Sequence, residues 1–177
     1  MSDRPSIETL TQSGISLSLF QKTLLITDGS VTELVALYTG KPIVARKIDQ
    51  QIVDECPPAD FAINSPTPLM HRRILLCNAE DRTPYLYAKS VFILNRLDSN
   101  TQQQLIASDK PIGRIWKDDK TEMFREIIDM RTEQDAEIAA HFNAPPTQPL
   151  ISRSYLLHQQ RRPFGLITET FPIDAFA

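Results

Sequence analysis

Glu169 lies near the C-terminal end of the chain, in "RRPFGLITETFP", residues 161–172. In an extended segment alternate side chains share a face, so Gly165, Ile167, Glu169 and Phe171 point one way and Leu166, Thr168 and Thr170 the other. A carboxylate between Ile167 and Phe171 is costly unless it is paired, neutralised or met by a ligand. Such a group can orient a hydroxyl or act as a general base. Arg72, in "MHRRILLC", is the complementary case: it shares parity with Met70, Ile74 and Leu76, whereas Arg73 falls with His71, Leu75 and Cys77. Turned inward, Arg72 is a fixed cation whose planar fork suits a carboxylate bidentately. The two residues read either as an internal Arg72–Glu169 salt bridge or as the two ends of a site for an anionic ligand, and pattern alone leaves both open.

Other candidates carry less. Arg114 follows Gly113 in "KPIGRIW", beside a helix start whose free amides favour anions. Arg153, in "ISRSY", stands at the rim of a late strand. A solvated arginine is the ordinary alternative for each. Lys89 shares a face with Tyr87 and Val91 and reads as a surface lysine with its stem on apolar atoms. His71, His141 and His158 are scattered without a serine or cysteine motif, so no nucleophilic triad is indicated. There is no glycine-rich phosphate loop and no metal-ligand spacing. Cys56 and Cys77, with no CxxC, read as reduced thiols and exclude a disulfide framework or zinc site. What remains is chemistry without metal or cofactor, or plain ligand binding.

Composition bounds the scaffold for these residues. The chain has 177 residues, 41% hydrophobic and 23% charged, which suits one domain over residues 1–177, with residues 1–19 as an N-terminal extension or helix. A net charge of -3 offers no general basic field for nucleic acid. The opening "MSDRPSIETL" lacks a cationic start followed by an apolar run, and no apolar stretch reaches membrane-spanning length. A soluble, cytoplasmic protein follows, of a size that suits a monomer.

"LLITDGSVTELVALYTGK" predicts a short strand, a turn at Asp28-Gly29, and a helix entered at Ser30, with Glu33 completing a capping box and Gly40 as the stop. "IVARKIDQQIV" predicts a strand. "MHRRILLC" and "YLYAKSVFIL", separated by the polar "NAEDRTP", predict an antiparallel hairpin. "NTQQQLIAS" predicts a short helix, and Pro111 marks the start of another. Gly113 marks a place where backbone comes close to something. In "TEMFREIIDM" the apolar residues Met123, Phe124, Ile127, Ile128 and Met130 have the spacing of a half-buried helix. "HFNAPPTQP" separates a helix from a last hairpin, "ISRSYLLHQQ" with "RRPFGLITETF". The class is α+β: an antiparallel sheet under helices, with space between the layers for a small ligand.

The ordered set "LLITDGSVTEL", "HRRILLC" running into "PYLYAKSVFIL", "KPIGRIW", "MFREI", "SRSYLL" and "RPFGLITETFP" resembles the chorismate pyruvate-lyase family, in particular its cyanobacterial and plastid-type branch, from about residue 20 to the end. The resemblance implies a single α+β domain with a six-stranded antiparallel sheet and helices over one face. It implies conversion of chorismate to 4-hydroxybenzoate and pyruvate without metal or cofactor, the first step toward a quinone head group, plastoquinone for that branch. On the matching positions, Arg72 grips the ring carboxylate and Glu169 meets the 4-hydroxyl, these two being the catalytic pair. Val31 after the turn and Ile112-Gly113 of "PIGRIW" line the substrate; because chorismate carries two carboxylates, Arg114 or Arg153 is the candidate to hold the second. The better-known bacterial branch has methionine where this chain has Val31, and Arg-Glu where it has Arg72-Arg73. A rival of the same fold is the effector-sensing domain of transcription regulators. Those proteins add a DNA-reading segment, and the roughly twenty residues before "LLITDG" are too few for one.

Overall fold

Helix starts are written into the chain by polar caps. Ser18 accepts from Gln21 N while the Gln21 side chain accepts from Ser18 N, a full capping box that opens α2 (Leu19–Ile26). Ser30 accepts from Glu33 N at the start of α3 (Val31–Thr39), and Gly40 ends that helix with a φ of 64°, a left-handed conformation that glycine adopts at least cost. Asp98 caps α4 (Ser99–Ala107), Pro111 precedes α5 (Ile112–Asp118), and Asp135 caps α6 (Ala136–His141). A short α1 (Ile7–Gln12) stands first. The computed structural model describes residues 6–12 and 14–177, so the first five residues of the expected N-terminal segment, and Ser13, lie outside the described residues.

Six strands form one antiparallel sheet in the order β1-β2-β3-β6-β5-β4. They are β1 (Ile43–Glu55), β2 (Thr67–Asn78), β3 (Pro84–Ile93), β4 (Phe124–Glu133), β5 (Leu150–Gln159) and β6 (Arg162–Pro172). The chain is thus a single α+β domain with a six-stranded antiparallel sheet, as the sequence predicts. On one face, Leu24, Leu25 and Val35 of α2 and α3 pack on Leu76, Leu86, Ile151 and Phe171, while Leu105, Ile115 and Trp116 of α4 and α5 pack on Met70, Phe92, Leu157 and Ile167. Each such fully buried side chain contributes about 1.5 to 3 kcal/mol of transfer free energy. The second face is partly covered too. Ile138 and Phe142, in and just after α6, lie on Leu75, Cys77 and Tyr87, and Phe61 of a short 3-10 turn (Ala59–Phe61) packs on Leu69 and Ile93. Among the described residues no helix is long and apolar enough to cross a membrane.

Two sequence expectations are corrected. Residues 24–26 belong to helix α2, not to a strand, because the Ser18 capping box starts a helix before the apolar run that buries Leu24 and Leu25. "TEMFREIIDM" is mostly the edge strand β4. Its register to β5 shifts between Ile127 and Asp129, a bulge that carries an extra residue. Ile127 and Met130 therefore pack on the helix side while Ile128 packs on the other, and a three-residue spacing that mimics a helix arises in a strand.

Gly165, on β6, is a site of close approach. A Cβ there would stand 2.7 Å from Phe92 Cδ1 and 3.0 Å from Leu157 Cδ1, both fully buried side chains. Phe92 in turn meets the Trp116 ring edge-on at 6.1 Å, so displacement reaches α5. Gly165→Ala is expected to destabilise by about 1 to 3 kcal/mol through overpacking, read as a fall in melting temperature of roughly 2 to 12 °C. An unchanged melting curve would show that the Phe92 ring moves aside freely.

Candidate functional site

Between the sheet and the helices lies a chamber that is partly open to solvent. Its floor is the helix-facing surface of β2, β3, β5 and β6, and its roof is the turn Gly29–Thr32 together with Pro111, Ile112, Gly113 and Trp116. Small residues make the room: register places Ala88 between Ile74 and Glu169, and Ser90 between Arg72 and Ile167. Arg72 and Glu169 are thus separated by one intervening strand, about 10 Å across the sheet, and by two residues along it, about 7 Å.

Arg72 is 2% exposed. Its Nη2 donates to the carbonyls of Lys110 at 2.9 Å and Ser108 at 3.3 Å, in the loop between α4 and α5. Its Nε is buried with no partner, and no carboxylate pairs with it among the described residues. Burial lowers its pKa, which Asp109 opposes; a guanidinium remains charged at neutral pH regardless. This is a desolvated cation with one unpartnered donor, on a side chain that lines the chamber.

Glu169 is paired, though not with Arg72. Arg153 Nε donates to Glu169 Oε2 at 2.8 Å and its Nη1 donates to the Thr27 carbonyl at 2.9 Å. Tyr155 donates its hydroxyl to Glu169 Oε1 at 3.0 Å. Burial works against the Arg153 charge, and the neighbouring Glu169 overrides it and raises the pKa. The Tyr155 phenol is pushed up by burial and by the same carboxylate, so it stays a neutral donor. The internal salt bridge read as Arg72–Glu169 is in fact Arg153–Glu169, because β5 and β6 put these two residues directly opposite one another while Arg72 is a strand too far away.

Val31, Ile112 and Gly113 line the same chamber as Arg72 and Glu169. A Cβ at Gly113 would meet no atom within 4 Å, so the close backbone approach expected there is not found; the residue borders open space. Arg114 is exposed on the outer side of α5, over the β1 edge with Asp109 and Asp118. Arg153 is buried, not at a rim, and braces Glu169 from the next strand. Arg73 faces the opposite side of the sheet and pairs with Asp49 and Glu137. Tyr155 and Arg125 also line the chamber and were not among the candidates read from the sequence. Tyr155 has the parity of Arg153 and was open to the same argument; Arg125 was hidden inside the segment read as a helix.

The sheet order, the helical layer and the chamber between them define a chorismate lyase-like domain. Solved structures share that fold at low identity: PhnF from Mycobacterium smegmatis (TM-score 0.68, 13% identity, 86% of this chain and 67% of that one) and the effector domain of the same protein (0.65, 13%, 83% and 90%). The ligand-binding domain of a candidate GntR-family transcriptional regulator from Bordetella bronchiseptica is a further match (0.56, 14%, 75% and 84%). Among curated proteins no sequence matches. Residues 25–177 match the family described as chorismate pyruvate-lyase Rv2949c-like, and the chain belongs to that family. That description does not support the cyanobacterial and plastid-type branch expected above.

Proposed function

We propose that this protein is a chorismate pyruvate-lyase, acting as a monomer, a state that suits a chain of 177 residues. The observation that carries the reading is Arg72: a buried guanidinium with an unpartnered Nε, across small floor residues from a carboxylate already oriented by Arg153 and Tyr155. Arg72 takes the ring carboxylate, and Glu169 accepts from the 4-hydroxyl on the far side of the ring. Apolar walls from Val31, Ile74, Leu86, Ile112 and Ile167 hold the ring flat and exclude water.

With both ends anchored, the enolpyruvyl arm folds back over the ring, and positioning of this kind is worth several kcal/mol of barrier. The C3–O bond breaks and its electron pair becomes the pyruvate carbonyl. The C4–H pair becomes the last ring double bond, and the arm's C=C pair takes up the proton, directly or by way of Glu169. Aromatisation drives the step. The product, 4-hydroxybenzoate, is the kind of precursor from which a quinone head group is built.

A second reading is favoured by the structural relatives, which include the effector and ligand-binding domains of regulators: a chamber that binds a small carboxylate without turning it over. The experiment is incubation of the purified protein with chorismate, following 4-hydroxybenzoate and pyruvate together. Equimolar products support the lyase. Binding of chorismate or a benzoate with no product supports the sensor. A chamber that fits the flat ring also fits the product, so 4-hydroxybenzoate is expected to inhibit competitively and to bind more tightly than benzoate, which lacks the hydroxyl that Glu169 accepts from. Equal affinity in calorimetry would count against that role of Glu169.

A further inference from the structure

We infer that Arg125, on β4, is the residue that holds the second carboxylate of the ligand, and that it makes the chamber selective for dicarboxylates. The inference rests on the lyase reading for the identity of the ligand, and on geometry for the residue.

The arginines otherwise available are excluded by their positions. Arg114 is exposed outside the chamber, and the Arg153 guanidinium already serves Glu169 and the Thr27 carbonyl. Arg125 lines the chamber and also the outer groove that leads to it between Gly29–Ser30 and Gly113–Trp116, so it stands at the mouth. It is half-buried. Its one hydrogen bond among the described residues runs from Nη1 to the Asp28 carbonyl, in the turn that roofs the chamber. No carboxylate within the described residues pairs with it, which leaves Nε and Nη2 to bind a ligand.

Its place in the sheet matches the need. Arg125 is opposite Leu157 on β5, one inward-facing step beyond Ile127 and Tyr155, and β4 is four strands from β2. At roughly 4.8 Å per strand the two backbones are about 19 Å apart along the sheet, and both long side chains reach into one cavity from opposite sides. The Arg153–Glu169 pair is internally neutral, so Arg72 and Arg125 are the uncompensated charges of the lining. Two cations flanking an apolar space complement a ligand with two carboxylates, one on the ring and one on a flexible arm that lies toward the mouth. A protein of net charge -3 must supply that positive potential locally.

The test separates the arm from the ring. For wild type, Arg125→Gln and Arg125→Lys, the KM for chorismate and the Kd for 4-hydroxybenzoate, which has only the ring carboxylate, are measured side by side. Arg125→Gln is expected to raise the chorismate KM roughly ten- to a hundredfold, the worth of a charged hydrogen bond, and to leave the product Kd within about twofold; Arg125→Lys recovers part of the loss because it keeps the charge but not the fork. If the wild type proves inactive, the same comparison is made with chorismate Kd by calorimetry, so failure of the lyase reading is seen separately. Equal weakening of both ligands, weakening of neither, or selective loss on Arg114→Gln instead overturns the inference. A retained product Kd also certifies that the variant is folded.

Discussion

On the proposed lyase reading, Arg72→Met is expected to cut turnover of chorismate severely while leaving the fold intact, and the two halves of that expectation have one cause. In the proposed complex Arg72 would supply two charge-assisted hydrogen bonds to a carboxylate, together about 3 to 6 kcal/mol, so the expected loss in kcat/KM is roughly a hundred- to ten-thousandfold. Arg72→Lys is expected to recover little, because an ammonium cannot make the bidentate pair. In the free protein the same guanidinium is buried, opposed by desolvation, and short of one partner at Nε. An apolar side chain of similar length removes that cost, partly offset by the Ser108 and Lys110 carbonyls it leaves unbonded. The melting temperature is therefore expected to hold or rise slightly, as at other sites where function strains the free fold. A fall in melting temperature matching the loss of activity would mean that Arg72 is a structural residue and would remove the main support for the lyase reading.

Glu169 is expected to behave in the opposite way. Glu169→Ala leaves Arg153 charged and buried with only the Thr27 carbonyl, and breaking a buried pair on one side costs about 3 to 5 kcal/mol. The corresponding drop in melting temperature is roughly 6 to 20 °C. Replacing both partners, Glu169→Leu with Arg153→Met, is expected to restore most of that stability, since apolar groups of similar volume substitute well for a buried ion pair. Activity stays absent in both. Glu169→Gln is the milder probe, because the amide oxygen still accepts from Tyr155 or from the substrate hydroxyl. Residual turnover in Glu169→Gln at unchanged product affinity indicates that Glu169 orients the ring; complete loss with product still bound indicates that it moves the proton. Additive destabilisation in the double variant would show that the pair is not the coupled unit seen between β5 and β6.

The fold and the site were not equally legible. Strand parity alone put Arg72 with Met70, Ile74 and Leu76, and Glu169 with Ile167 and Phe171, and both sets face the helical layer. Parity is a local property of an extended chain, so no partner is needed to read it. The Ser30 cap, the Gly40 stop and the two hairpins are local in the same sense. Of the two misread segments, residues 121–130 failed for a local reason with a non-local origin: the bulge that shifts their parity exists only against β5.

By itself, then, the chain determined that a carboxylate lies on an apolar strand face of an α+β domain and that Arg72 shares its parity with Met70, Ile74 and Leu76, because alternation, caps and turns act over a few residues; that this face of β2 turns inward was decided by the tertiary structure. Only the tertiary structure decided which charges meet. The order β1-β2-β3-β6-β5-β4 sets Glu169 beside Arg153 and two strands from Arg72, and brings Arg125 from the far edge to the mouth of the same chamber. Ion pairing depends on separations of a few ångströms between residues remote in sequence, and those separations are set by register and strand order rather than by any local pattern.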